Sequence, residues 1–477
     1  MADGSQTQSA DEQEPTVLHR WVLLSAMSFI LGLTLLDETV VSLALPTITK
    51  EFGMTLTQAH WVVNSYLLMF AALVALGGKF ADLVNINYLI FTGMTIFGLA
   101  SLACGFAPTG RFLIGARAVQ GIGAAIMFPL PITMISHIFP SSRRGFALGI
   151  YGSIACVFIA SGPLVSGYFT SYFSWRWIFW INPPLVLLVC LVIAAAPLKG
   201  RFAHGGDRSL SHFPFDWGGI ITLLIGLFFF VLAIMQAPDW GWTSTEILLS
   251  FIVGVSALCI FVRTELHREA PLIQVRLFKE PAFSVAAFVV FQAQYSKIAM
   301  FIFGALYFQE KLGFEPFIAG LALMSAVIMN TVTAGLGGIY VDKFGNRSPA
   351  MWGMFILSSS MLWLTFFISE NNYWLLLPAL LAWGASMPLI FLPSMKSSVE
   401  TVSLNKRGQA SGVMVTSQML GGTIGMSISS SIFIFTHSYE LVFGAATIVT
   451  LICYLLCYYY FGKGPVVEEN EVAQREG

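Results

Sequence analysis

Four ionisable residues stand inside stretches otherwise too apolar to hold them: Asp37, Glu38, Arg117 and Lys297. A lone Asp, Lys or Arg at the centre of a membrane-spanning helix costs at least about 2.5–3.5 kcal/mol, so such groups face a cavity or a partner. A carboxylate beside a guanidinium is chemistry for holding and releasing a proton. The cation keeps the acid ionised until protonation or a ligand changes the contact. The same arrangement also makes a permanent structural ion pair, and both readings of Asp37 with Arg117 stand open, with Glu38 as a second candidate carboxylate. If the first helix ends near residue 45 and the helix of Arg117 starts near 111, both groups lie roughly 9–12 Å below one boundary, counting 1.5 Å per residue. Lys297 has Gln294 one turn before it and Phe301 after it, on one helical face. Lys297 then binds an anionic or zwitterionic part of a ligand, or neutralises Asp37 or Glu38, or snorkels to an interface, which its depth makes difficult.

Such residues need helices that cross a bilayer. The chain of 477 residues is 56% hydrophobic and 10% charged, against about 25% charged in soluble proteins. About fourteen helix-length apolar segments follow one another, from 21–45 to 440–461, each near the roughly 20 residues a spanning helix needs. Their runs are continuous, as in 223–234 and 352–368, which excludes the alternation of a β-barrel. The expected fold class is an all-α polytopic membrane protein. Placing residue 1 in the cytoplasm puts about eighteen Lys and Arg on that side and four outside, a strong positive-inside signal. An even helix count places both termini in the cytoplasm. The acidic tail 1–19 lacks the basic start and short apolar core of a cleaved leader. The short tails, with no outward glycosylation sequon, favour a bacterial plasma membrane.

Other chemistries find little support. A net charge of −1 offers no field for nucleic acid. The six cysteines all lie in apolar stretches and read as buried single thiols;. The seven histidines are scattered and complete no metal site;. There is no Walker loop, His-Glu zinc motif or nucleophile elbow, so no enzyme, ATP-driven pump or cofactor is expected.

The chain repeats itself. Gly78-Lys-Phe-Ala-Asp82 is matched by Gly338-Ile-Tyr-Val-Asp342, the basic-basic-glycine at 143–145 by 406–408, and Gly123-Ala-Ala by Gly384-Ala-Ser, all at an offset of about 260 residues. Long-period similarity of this kind marks duplicated halves. The same offset carries Asp37 onto Lys297.

Several segments resemble the major facilitator superfamily, and within it the fourteen-helix drug:proton antiporter branch, over about residues 20–462. Residues 36–46 resemble the helix 1 signature L-D-x-T-x-V-N-x-A-L-P, with Ser42 in place of Asn. Residues 117–125 are similar to R-x-x-Q-G-x-G-A-A of helix 4, and Gly162-Pro163-Leu-Val-Ser-Gly167 to the helix 5 antiporter motif G-P-x-x-G-G. Trp175 to Asn182 resembles W-R-W-I-F-x-I-N of helix 6. The loop motif G-x-L-A-D-R-x-G-R-R keeps only Gly78 and Asp82 in the first half, but Gly338, Asp342, Lys343, Gly345 and Arg347 in the second.

The resemblance implies a major facilitator fold of two six-helix bundles with two inserted helices. Its divisions are a tail at 1–19, a bundle at 20–198, linker helices with their loops at 199–281, a second bundle at 282–462 and a tail at 463–477. It implies helices 1 and 9 facing each other across a central cavity, with Asp37, Glu38 and Arg117 in proton coupling and Lys297, Gln294, Gln120 and Phe301 lining the substrate cavity. It assigns Gly78, Asp82, Gly338, Asp342, Lys343 and Arg347, with Gly162, Pro163 and Gly167, to gating, although Asp82 also fits a plain helix cap. The implied activity is proton-coupled export of small amphipathic compounds by alternating access, as a monomer in a lipid bilayer. The alternative is a transporter of one metabolite on the same fold.

Overall fold

The computed structural model describes residues 17–81, 84–195, 216–268, 271–402 and 407–461. Asp82 lies outside these residues, as does the side chain of Asp342. Fourteen helices among the described residues are long and apolar enough to cross a membrane. They are α1 (Leu18–Phe52), α2 (Leu56–Phe80), α3 (Ile86–Gly105), α4 (Gly110–Ile135), α5 (Phe146–Tyr172), α6 (Trp177–Ala195), α7 (Trp217–Trp240), α8 (Thr245–His267), α9 (Pro281–Glu310), α10 (Pro316–Val341), α11 (Arg347–Glu370), α12 (Tyr373–Glu400), α13 (Gln409–Thr436) and α14 (Tyr439–Tyr460). With an even number of crossings, residues 17 and 461 lie on one face, called here the terminal face.

The helices form two bundles, α1–α6 and α9–α14, with the hairpin α7–α8 beside them. In the first bundle α1 packs on α5, and α4 on both α2 and α3. In the second, α9 packs on α13, and α12 on both α10 and α11. Each contact maps onto its counterpart by adding eight to the helix number, so the sequence repeat is a repeat of packing. The bundles meet along α2 with α13 and α5 with α10, which are equivalents under the same rule. The hairpin lays α7 along the α2–α13 seam. Large apolar side chains remain exposed on α8 (Leu248, Ile252) and α14 (Ile452, Leu455); on a chain of this composition that surface faces lipid.

The two faces differ. Opposite the termini the bundles are tightly joined. A Cβ on Gly167 of α5 would sit 2.6 Å from the carbonyl oxygen of Pro316, and one on Gly320 of α10 would sit 2.4 Å from that of Pro163. Only glycine allows so close an approach. The Phe317 amide also donates to Ser171 Oγ at 3.1 Å. Towards the termini the same helices separate: nothing lies within 4 Å of a Cβ placed on Gly149, Gly152, Gly335 or Gly412. The bundles are closed on one face and open on the other.

Helix α1 departs from the sequence expectation. It runs through Pro46 to Phe52 rather than ending near residue 45, because the bundle holds the helix past a residue that lacks one amide donor. Asp37 therefore lies about 22 Å from the end of α1, at 1.5 Å per residue, and not near a boundary.

Candidate functional site

Asp37 and Glu38 sit mid-helix on α1 and are both buried. Adjacent helical positions project about 100° apart, so the two side chains enter different surroundings.

Asp37 faces the interior of its own bundle. Its Oδ2 pairs with Arg117 Nη1 of α4 at 2.5 Å. Its Oδ1 accepts from Gln120 Nε2 at 2.7 Å and from Asn182 Nδ2 of α6 at 3.3 Å. Arg117 and Gln120 lie one helical turn apart and are bonded to each other, Nη1 to Oε1, at 2.8 Å. The guanidinium also donates from Nε to the Val62 carbonyl at 3.2 Å and lies 4.3 Å from the centroid of the Tyr66 ring. Asn182 is in turn held by Ser101 Oγ at 3.0 Å. Arg117 is 1% exposed and Asp37 0%. A lone ion is costly at such burial, and the contacts made directly to Asp37 and Arg117 offset that cost. α4 can come this close because a Cβ on Gly121 would lie 2.4 Å from the Tyr66 carbonyl oxygen, which makes glycine necessary there.

Glu38 faces the second bundle. Its Oε2 pairs with Lys297 Nζ of α9 at 2.8 Å, and its Oε1 accepts from Gln294 Nε2. Gln294 Oε1 accepts from Gln418 Nε2 of α13 at 3.2 Å. Two residues of α9 thus hold the carboxylate of Glu38, and α13 braces one of them through Gln418. Lys297 pairs with Glu38, while Asp37, its mate by the repeat, belongs to Arg117.

Phe301 lies inside an irregular turn of α9. A π-helical turn spans Ala299–Phe303, directly after Lys297. The extra residue per turn rotates the face, and Phe301 meets Trp383 of α12 at 5.9 Å, edge to face, within its own bundle. Trp383 Nε1 donates to Ser296 Oγ at 3.3 Å, on a different side of α9 from Gln294 and Lys297. A π turn is invisible to a periodicity count that assumes 3.6 residues per turn.

The residues expected to gate are spread widely. Gly162 lies under Thr39 of α1, where a Cβ would be 2.0 Å from Thr39 Oγ1, while Pro163 and Gly167 lie at the α5–α10 contact. Gly338 lies at the open terminal end of α10, with Lys343 Nζ 5.4 Å from the centroid of the Phe344 ring and Arg347 donating to the Tyr458 carbonyl at 3.0 Å. Gly78 has room around it, whereas a Cβ on its neighbour Gly77 would lie 2.3 Å from the Ala125 carbonyl oxygen. Sequence reasoning did not assign Asn182, Tyr66 or Gln418 to the site, nor Gly77 and Gly320 to close contacts. Asn182 closes the helix 6 motif, and that was the signal available for it.

The site thus comprises a buried acid–cation pair inside one bundle and a second pair between bundles, set in a repeat of packing with one closed face. Residues 27–330 and 283–477 match the model of the Major Facilitator Superfamily. The chain belongs to the Major Facilitator Superfamily. It is 27% identical over 418 residues to the multidrug resistance protein Stp of Mycobacterium tuberculosis, covering 87% of this chain and 76% of that one. It is 31% identical over 401 residues to the cephamycin export protein CmcT of Amycolatopsis lactamdurans, covering 83% and 81%. Its fold is similar to the crystal structure of a bacterial homolog of the human lysosomal transporter Spinster in an inward-facing, unoccupied conformation. The TM-score there is 0.65 at 16% identity, with 93% and 98% of the chains covered. This superfamily member is a multi-pass membrane transporter of small compounds and not an enzyme.

Proposed function

We propose that the protein exports small amphipathic compounds, drugs among them, in exchange for protons. Asp37 and Arg117 form the coupling site, and Glu38 with Lys297 forms a contact made in only one access state. The observation that carries this is the division of two adjacent carboxylates between an intra-bundle cation and an inter-bundle cation. Resistance and export proteins among the relatives support the direction and the substrate class. In this reading the termini are cytoplasmic, the membrane is the bacterial plasma membrane, the protein works as a monomer, and the state described is open inward.

The geometry supports the following cycle. Rocking the bundles apart on the closed face separates α1 from α9, so Glu38 loses Lys297 while Asp37 keeps Arg117. Water reaching the cavity from outside lets Asp37 take a proton as the compound leaves, and return to the inward-open state gives that proton to the cytoplasm and readies the site, Gln120 included, for the next compound. Glu38 is the second carboxylate able to carry a proton once Lys297 has gone. Lys297, released at the same moment, favours an anionic or zwitterionic portion in the compound carried, which is the observation behind a narrower reading as an exporter of one such metabolite.

The test is transport in proteoliposomes with an imposed pH gradient, scanning cationic, neutral and anionic compounds. Uphill movement of a compound with dissipation of the gradient is expected. Movement that ignores the gradient overturns proton coupling, and uphill transport by Asp37→Asn at the wild-type rate transfers the proton elsewhere.

A further inference from the structure

On the closed face, the first turns of α2 carry a histidine the coupling site does not use. His60 is 0% exposed. Its Nδ1 lies 2.5 Å from Ser430 Oγ of α13, a hydrogen bond from one bundle to the other. Its Nε2 makes no hydrogen bond to the protein. Rings of Phe303 of α9 and Phe433 of α13 stand 5.4 and 6.4 Å away. His60 also lines a cavity of about 160 Å³ between the ends of α1, α2 and α9, with Lys50 and Glu310 among the other lining residues. Both of those side chains are exposed, so the cavity runs from the closed face toward the ring.

We infer that His60 is a second proton-binding site, reached from the closed face through this cavity, and that its protonation unlatches α2 from α13. An imidazolium sealed at the seam loses its hydration, and aromatic faces recover only part of that loss. The ion is best accommodated when α2 and α13 part and water surrounds the ring. Neutral His60 therefore favours the closed face, and acid on that side favours opening.

The charges around His60 permit this. From α1 comes Lys50, which opposes a second positive charge. From α9 comes Glu310, which accepts from Tyr439 of α14 at 2.9 Å. From α7 comes Asp239, which accepts from Thr57 Oγ1, one turn before His60, at 2.6 Å. α13 presents Ser430 and Phe433, neither of them charged. Asn64, one turn further along α2, donates to Ser427 of α13 at 2.9 Å, so the seam has a second bond that titration does not touch.

The inference rests on proton-driven exchange for its purpose, but its test does not. Hydrogen–deuterium exchange of the full-length protein in lipid, corrected for intrinsic rates, reports opening at residues 56–65 and 427–436. Wild-type uptake there should rise several-fold from pH 8 to pH 5, within the ceiling of about tenfold per pH unit that one linked proton allows. His60→Asn keeps an amide near the place of Nδ1 and should show low uptake at every pH, as should His60→Gln. Ser430→Ala should raise uptake throughout and keep the pH dependence. Flat wild-type uptake overturns the inference, and so does an equal rise in both folded His60 variants. Asp37→Asn serves as the control: it should retain the His60-dependent rise while losing coupled transport, so failure of the coupling reading leaves a separate mark.

Discussion

Asp37 and Glu38 are neighbours in the chain, yet they belong to different machines. Among the described residues, Asp37 is bonded within its bundle, by Arg117, Gln120 and Asn182, and Glu38 to the other bundle, by Lys297 and Gln294. In the proposed cycle a pair inside one bundle survives when that bundle moves, whereas a pair between two bundles breaks. Both carboxylates are buried, so burial does not distinguish them; what differs is which bundle holds the counter-charge.

The largest effect should come from breaking the internal pair on its cationic side. Arg117→Ala leaves the Asp37 carboxylate buried without its ion and should cost about 3–5 kcal/mol of stability. Thermal unfolding in detergent measures this. Asp37→Asn leaves a cation still bonded to Val62 and facing Tyr66, so it should fold while gradient-driven transport disappears. If Arg117→Ala is as stable as wild type, the pair is not the structural centre of its bundle.

The inter-bundle pair should behave otherwise. Lys297→Ala strands Glu38 in the state described here, and adding Glu38→Gln should restore much of what is lost, because no charge is then left alone. The coupling energy in a double-mutant cycle should be about 1–3 kcal/mol. An anionic substrate should lose affinity specifically if Lys297 also binds it, whereas every substrate should suffer alike if it only balances Glu38. No coupling between the two positions would end the distinction drawn above.

Much of this was legible before any coordinates. Fourteen apolar spans, the offset of 260 residues and the four charges follow from composition and repetition. The repeat paired Asp37 with Lys297, and the resemblance to the superfamily implied that α1 and α9 face each other. It could not say which acid Lys297 meets, because the choice between positions 37 and 38 turns on 100° of helix rotation and a repeat offset is not exact to one residue. Nor could spacing find the π turn at Ala299–Phe303. The length of α1 was hidden for a related reason: Pro46 reads as a stop signal in water, and only packing carries a helix past it. Asn182 was visible as a motif residue but not as a ligand of Asp37, since its partner is 145 positions away.

A smaller effect separates geometry from charge within the internal pair. Arg117→Lys keeps the charge but replaces a planar fork by a point charge. In wild type the guanidinium serves Asp37, Gln120 and the Val62 carbonyl at once, and an ammonium at the end of a shorter stem cannot reach all three. Stability should fall by roughly 1–2 kcal/mol, the worth of one hydrogen bond to a charged group, while coupling suffers much more. Equal losses in stability and coupling would mean that the arginine only fills space and charge.

The smallest expected effect is at Asn182. Its bond to Asp37 is long, at 3.3 Å, and Asp37 keeps two shorter ones without it. Asn182→Ala should therefore cost only about 1 kcal/mol. Among the described residues Asn182 is hydrogen-bonded to Asp37 and not to Glu38. If Asp37 carries the proton, Asn182→Ala should slow gradient-driven transport several-fold while leaving binding of the compound at the wild-type level. If Glu38 carries it, both should stay at the wild-type level. The split between uphill transport and binding in this one variant decides which of the two neighbouring carboxylates carries the proton.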